Sequence, residues 1–220
     1  MSHRLRDPKH LVAQYLLQGN AADQMGRYPG TLVNAPTWGS FYKNNLQAIE
    51  FDGNNQHINC GDVTQLNSVS QFSICFWMNQ DVIDQIDIIF SKVLDGNNDI
   101  VIGPQGGNFF FELGNGSNSY GNFDYSLVVS ALNWHHIALV FDGSQTGNIN
   151  RMLIYVDGKQ VDLSFTGIIP TTTPDMFGND ATIGRATSSL DGKLHDFRIY
   201  NIPLTNDEIL KLYHALVPTY

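Results

Sequence analysis

Apolar and polar residues alternate most regularly between Trp134 and Phe165. Over residues 134–142, Trp134, His136, Ala138 and Val140 fall on one side and His135, Ile137, Leu139 and Phe141 on the other. That period of two marks a β-strand. Residues 151–156 repeat it, Asp157-Gly158 supplies a two-residue turn that tolerates positive φ, and residues 159–165 return beside it. Residues 69–79 predict a long strand with Phe72, Ile74, Phe76 and Met78 on one face. Shorter strands are predicted over 11–18, 31–33, 46–51, 56–59, 86–93, 99–102, 108–113, 123–129, 181–184 and 193–201. Between them lie turn-forming runs: 52–55, 94–98, 103–107 and the loop 114–122. Residues 38–45 read as irregular and aromatic, and 167–180 as a long loop with Pro170 and Pro174. Thr205-Asn206-Asp207-Glu208 fits a capping box and predicts one helix to about residue 215, with Ile209, Leu210 and Tyr213 against the strands.

The pattern is all-β, with strands in two packed antiparallel sheets and one short C-terminal helix. At 220 residues it suits one domain, residues 11–220, preceded by a flexible N-terminal segment, residues 1–10. The formal net charge is −9 with only 12 Lys and Arg, and no basic stripe appears. Nucleic acid and anionic membranes are therefore poor partners, and cations or neutral polar ligands such as sugars suit the surface better. No signal-peptide core and no stretch of membrane length occurs, so the chain is expected to be soluble. Cys60 and Cys75 fall in predicted strands and read as reduced, buried, small apolar residues, which favours synthesis in a reducing compartment.

Several segments carry a resemblance. They are Trp-His-His-Ile at 134–137, Tyr-Val-Asp-Gly-Lys at 155–159, LVAQYLLQGNAADQMGRYPGTLVN from Leu11, LQAIEFDGNNQHINCG from Leu46, FSICFWM and IIFSKV, and LDGKLHDFRIYNIPLTNDEILKLY from Leu190. In this order they resemble the laminin-G-like, pentraxin-like branch of the concanavalin A-like jelly rolls, over nearly the whole chain. The resemblance implies a two-sheet jelly-roll sandwich and a sugar- or surface-binding class. In pentraxin-like relatives the cysteine matching Cys75 pairs with one at the position of Ala138, and that partner is missing here.

Catalytic patterns are scarce. Glucanases on this sandwich carry Glu-x-Asp-x-Glu along one strand, and no such triplet occurs; the nearest acidic pairs are Asp84/Asp87 and Asp95/Asp99. Gly-x-Ser-x-Gly and His-Glu-x-x-His are absent. His135 and His136 are adjacent on a strand and point to opposite faces, so they cannot chelate one ion together. Trp38, Phe41 and Tyr42 read as a plug for an open end, and Trp77 and Trp134 as sheet-face or core residues.

Candidate binding residues sit on loops. Relatives of the laminin-G-like type hold a structural calcium near the hairpin that matches 52–55, closed by an acid of the last strand. The resemblance therefore assigns Ca²⁺ to Asp52, Asn54 and Asp196, with His195 in place of the acid often found just before it. Asn97 and Asn98 match a pentraxin calcium pair, but residues 185–189 lack a carboxylate until Asp191, so only half of that site is present. In the loop 114–122, Asn115, Asn118 and Asn122 offer donors and acceptors and Tyr120 a ring face for a sugar. Asn115-Gly116-Ser117 is also a glycosylation sequon, relevant only in a secreted chain. The expected function is a non-catalytic carbohydrate-binding module with a structural calcium, partnered by a glycan or cell-surface polysaccharide. Two alternatives stay open: a virion structural or adhesion protein that contacts other virion proteins or itself, and a polysaccharide hydrolase or lyase.

Overall fold

The computed structural model describes residues 9–42, 46–83, 85–185 and 187–216. Most of the expected flexible segment, residues 1–8, and Asp84 of the first acidic pair lie outside the described residues. In chain order the strands are β1 (Leu11–Tyr15), β2 (Thr31–Val33), β3 (Thr37–Phe41), β4 (Leu46–Asp52), β5 (His57–Asn59), β6 (Gln71–Gln80), β7 (Phe90–Asp95) and β8 (Asn98–Gln105). They continue with β9 (Asn108–Asn115), β10 (Tyr120–Asp124), β11 (His135–Asp142), β12 (Met152–Val156), β13 (Lys159–Val161), β14 (Ser164–Thr166), β15 (Ala181–Ile183) and β16 (Asp191–Tyr200). A one-turn helix α1 (Asn148–Arg151) precedes β12, and α2 (Asn206–Leu216) follows β16.

All pairings are antiparallel, and two eight-stranded sheets result. The first runs β13-β12-β11-β6-β16-β4-β3, with β1 also on β16; the second runs β14-β10-β9-β8-β7-β15-β5-β2. The protein is thus a two-sheet sandwich, as the alternation predicts, and a jelly roll, as the resemblance implies. Phe72, Ile74, Phe76 and Met78 of β6 and Ile137, Leu139 and Phe141 of β11 meet Phe109, Phe111 and Leu113 of β9 in the buried interior. The other face of the first sheet is covered too. Cys75, Ala138, Val140, Tyr155 and Tyr200 pack under Ile209 and Leu212 of α2. Beside them Phe41, Ala48 and Trp77 gather Tyr42, Trp134 and Tyr213. The helix starts where the capping box predicts, with Thr205 N–H donating to Glu208 Oε2 at 2.8 Å.

Three predicted elements differ. Residues 38–41, from the segment 38–45 expected to be irregular, lie in edge strand β3 against β4, and residues 43–45 lie outside the described residues. Residues 159–165, expected as one strand, divide between β13 in the first sheet and β14 in the second. The strand expected over 123–129 starts earlier and stops at Asp124, whose side chain accepts from Ser126 N–H at 3.1 Å and bends the chain into a 3₁₀ turn. Both cysteines are free and buried, with thiols pushed up to about 12 by burial. They are inert as nucleophiles.

Cys75 lies directly opposite Ala138 on β11. Facing positions of antiparallel strands have Cα atoms about 4.5–5.5 Å apart, within disulfide range. Ala138→Cys should therefore form a disulfide with Cys75 under air oxidation, leaving Cys60 as the sole titratable thiol in denaturant. Detection of three free thiols would contradict the register.

Candidate functional site

The second sheet buries one face in the sandwich and presents the other outward, and β9 shows how. Phe109, Phe111 and Leu113 are buried in the core, so the period of two sends Phe110 and Glu112 outward, where both are half-buried. On β10, Phe123 points in, and Tyr120 and Asn122 point out. The register then aligns a row across the face: Thr166, Tyr120, Glu112, Val101, Ser91 and Thr182 lie opposite one another in succession. A second row holds Ser164, Asn122 and Phe110. Directly opposed side chains have Cβ atoms about 5 Å apart, so the Tyr120 ring and the Glu112 carboxyl adjoin. Phe110 meets Tyr120 edge to face at 5.0 Å.

Two carboxyl groups lie in the floor of this face. Burial pushes Glu112 up to about 7; the charge of Asp99 adds to the rise, and a hydrogen bond with Asn118 opposes it. Asp99 is buried on β8, diagonal to Glu112, and burial raises its carboxyl too, against the Gly114 N–H that donates to it at 3.2 Å. Gly114 is required there, because a Cβ would lie 2.8 Å from Asp99 Oδ1 and 2.6 Å from the Asn97 carbonyl oxygen. The arrangement offers a stacking ring, hydroxyl and amide groups, and a partly dehydrated acceptor on one open surface.

Of the six ligand residues expected from sequence, Tyr120, Asn122 and Asn118 belong to this face. Asn98 and Asn115 are engaged in holding turns. The Asn98 amide donates to the Asp95 carboxylate and accepts from Gly116 N–H, while Asn115 Nδ2 donates to Thr172. Asn97 donates its backbone N–H to Asp95 Oδ1. Glu112 and Phe110 escaped sequence reading, and Asp99 was noted only as half of the acidic pair with Asp95. Their signal was the triple Phe109-Phe110-Phe111, which on a strand must put one aromatic ring outside.

The expected metal residues separate. Asp52 ends β4 opposite Asp191, not Asp196, and its Oδ1 accepts from Asn54 N–H at 2.9 Å. The hairpin, Gln85, Asp87, Ser189 and Asp191 line a polar cavity of about 460 Å³. Asp87 is buried there, pushed up to about 6 by burial, and receives Gln80 Nε2 at 2.5 Å. Asp196 lies elsewhere, at a β-bulge with φ +50°, where Arg198 grips it through Nε at 2.9 Å and Nη2 at 2.7 Å and Gln14 Nε2 adds 2.7 Å. His195 turns away from Asp196; its ring stacks on Phe41 at 3.9 Å with Nδ1 2.7 Å from the Gln47 carbonyl. Among the described residues no three His, Cys, Asp or Glu side chains assemble as a metal cage. His135 Nδ1 meets Asp157 Oδ2 at 2.8 Å, and His136 is buried against Trp77, pushed down to about 4. The two histidines serve separate surroundings, as their opposite faces require.

A family model for the concanavalin A-like lectin/glucanases superfamily matches residues 52–210. The chain belongs to that superfamily. No curated protein matches the sequence. Among solved structures, domain 4 of AbnA, an extracellular arabinanase from Geobacillus stearothermophilus in complex with arabinotriose, is similar at 20% identity with a TM-score of 0.72, covering 93% of this chain and 98% of that one. The binding domain of botulinum neurotoxin DC in complex with rat synaptotagmin II gives 18% identity and a TM-score of 0.68, covering 94% and 52%. The same toxin domain in complex with SialylT gives 18% and 0.67, again over 94% and 52%. The chain thus spans about half the length of the toxin domains. At these identities the likeness is one of fold. Among the described residues no helix is long and apolar enough to cross a membrane.

Asp196 is therefore a structural partner of Arg198. Breaking a buried ion pair from one side costs about 3 kcal/mol. Asp196→Asn should lower the unfolding free energy by that order, equally in calcium and in chelator. A loss confined to calcium-containing buffer would assign the residue to a metal instead.

Proposed function

We propose that this domain is a non-catalytic carbohydrate-binding module whose site is the outer face of β8, β9 and β10. The observation that carries the reading is the in-register placement of Tyr120 beside Glu112, with Phe110 edge-on and Asn122 next to it. A sugar ring has an apolar C–H face and a rim of hydroxyls. An aromatic ring matches the first, and a carboxylate or amide matches the second. Placed about one strand spacing apart, the two groups reach a single residue of a glycan. The arabinotriose complex of the arabinanase domain and the SialylT complex of the toxin domain support a glycan as the ligand class. They also support an extracellular place of action.

Calcium enters this reading in a narrower form than the sequence implied. It is structural, outside the glycan face, at the Asp52–Asn54 hairpin with Asp191 as second carboxylate in place of Asp196. Backbone and amide oxygens of the hairpin would complete the coordination that Ca²⁺ prefers. On this proposal calcium raises the melting temperature, chelator reverses the rise, and Asp191→Asn abolishes it without weakening glycan binding. A melting temperature indifferent to both reagents retires the ion. No feature of the structure favours a virion or adhesion role over this reading.

The test is a glycan array followed by titration of the best ligand into Tyr120→Ala. Affinity should fall roughly tenfold, the loss of one stacking contact of about 1.5 kcal/mol, with the melting temperature unchanged. Undiminished binding by this variant would place the ligand elsewhere. Release of reducing ends from any bound polysaccharide would replace the module by a hydrolase.

A further inference from the structure

The charge of the same face is one-sided. No Lys or Arg occurs in β8, β9, β10 or β14, nor in the turn 116–119. The lysine of β7, Lys92, points into the sandwich, fully buried and paired with Asp62 at 2.5 Å. The backbone carbonyl of Arg185 accepts from Ser91 on β7 and from Thr182 on β15, about two strand spacings from β9, and no charge of Arg185 acts on Glu112. The groups that face Glu112 are the Asp99 carboxyl from β8, the Tyr120 ring from β10 and the Asn118 amide from the turn. Asp95 at the end of β7 and Asp124 at the end of β10 extend the negative field. On the core side Phe109, Phe111 and Leu113 of β9 pack within the main apolar cluster. Among the described residues, a ligand lying across Tyr120 and Glu112 therefore meets carboxyl and amide groups on strands that carry no Lys or Arg.

We propose that this face admits uncharged glycans and excludes polyanionic ones, with Glu112 as the residue that sets the selection. The inference rests on the reading of the face as a glycan site. Its physical basis is like-charge repulsion at a partly dehydrated group, where screening by water is weakened. Neutral sugars bring hydroxyl donors to the acceptors, whereas a uronate brings a second anion. The selection is graded by pH, because the Glu112 carboxyl, held near 7 by burial and Asp99, changes charge within the neutral range. Uronates stay ionised throughout that range. Below it Glu112 is neutral and repels least; above it the carboxylate is fully formed and discrimination is greatest.

The experiment measures binding of the intact chain to neutral polymers (arabinan, xylan, galactan) and to polygalacturonate, at low salt, at about pH 5.5 and about pH 8.5. The neutral-to-uronate affinity ratio should rise about five- to tenfold between the two pH values, as one unit charge at roughly 7 Å implies at an effective dielectric constant of about 40. In Glu112→Gln the ratio should be the same at both. In Asp99→Asn, which removes the neighbouring charge, the step should remain with its midpoint moved to lower pH. Circular dichroism checks that each variant is folded. Binding of neutral and acidic polymers alike, with no step, overturns the selection and leaves the glycan reading standing. A step that survives Glu112→Gln overturns the assignment to that residue. Failure of every polymer at both pH values overturns the glycan reading itself, and the selection with it.

Discussion

The register of β9 between its two neighbours is the constraint on which the rest depends. Because side chains alternate strictly, burying Phe109, Phe111 and Leu113 leaves no choice about Phe110 and Glu112. A slip of one residue would put a carboxylate into the sandwich and two core aromatics into water, so the hydrophobic pattern holds the register firmly. The same register on β8 and β10 brings Val101 and Tyr120 to either side of Glu112. The proposed binding face is thus a by-product of core packing. Its aromatic and carboxyl side chains stand on paired strands.

That placement has an energetic consequence. Glu112 and Asp99 are partly withdrawn from water without a basic partner, and both carboxyls are held above their ordinary range by burial. The contrast with Asp196 is instructive. It is buried about as deeply as Asp99 and more deeply than Glu112, but it is gripped by Arg198 and Gln14, so its role is structural. Asp23 is compensated in another way, by backbone N–H groups of Gln14, Met25, Arg27 and Tyr28, and it fixes the first long loop. Asp196 and Asp23 thus serve the fold, whereas Glu112 and Asp99, each with a single hydrogen-bond partner and no cation, are the groups on which the proposed glycan site rests.

Much of the fold was legible because it rests on period two. The strands around Phe72–Met78 and Ile137–Phe141 could be read directly, as could the Asp157-Gly158 turn and the capped helix. Where other physics decided, the sequence misled. Trp38 to Phe41 has no clean alternation, yet it pairs as an edge strand because its aromatics pack with His195 and Trp77. The Asp124 side chain ended a strand early by capturing Ser126. At the site, Tyr120, Asn118 and Asn122 were visible as loop polar residues, while Glu112 looked like an ordinary acid in an aromatic strand. Its meaning comes from residues across two ladders, which no local pattern encodes. Asp196 is kept away from the Asp52 hairpin for a related reason. The antiparallel register sets Asp191 opposite Asp52, and a bulge turns Asp196 toward Arg198.

The most direct test of the central claim is a backbone amide NMR titration with the neutral oligosaccharide that binds best. The account predicts shift changes concentrated at Val101, Phe110, Glu112, Tyr120 and Asn122 on three adjacent strands of the second sheet. Changes clustered instead at the Asp52–Asn54 hairpin and Ser189, with β8 to β10 silent, would contradict it.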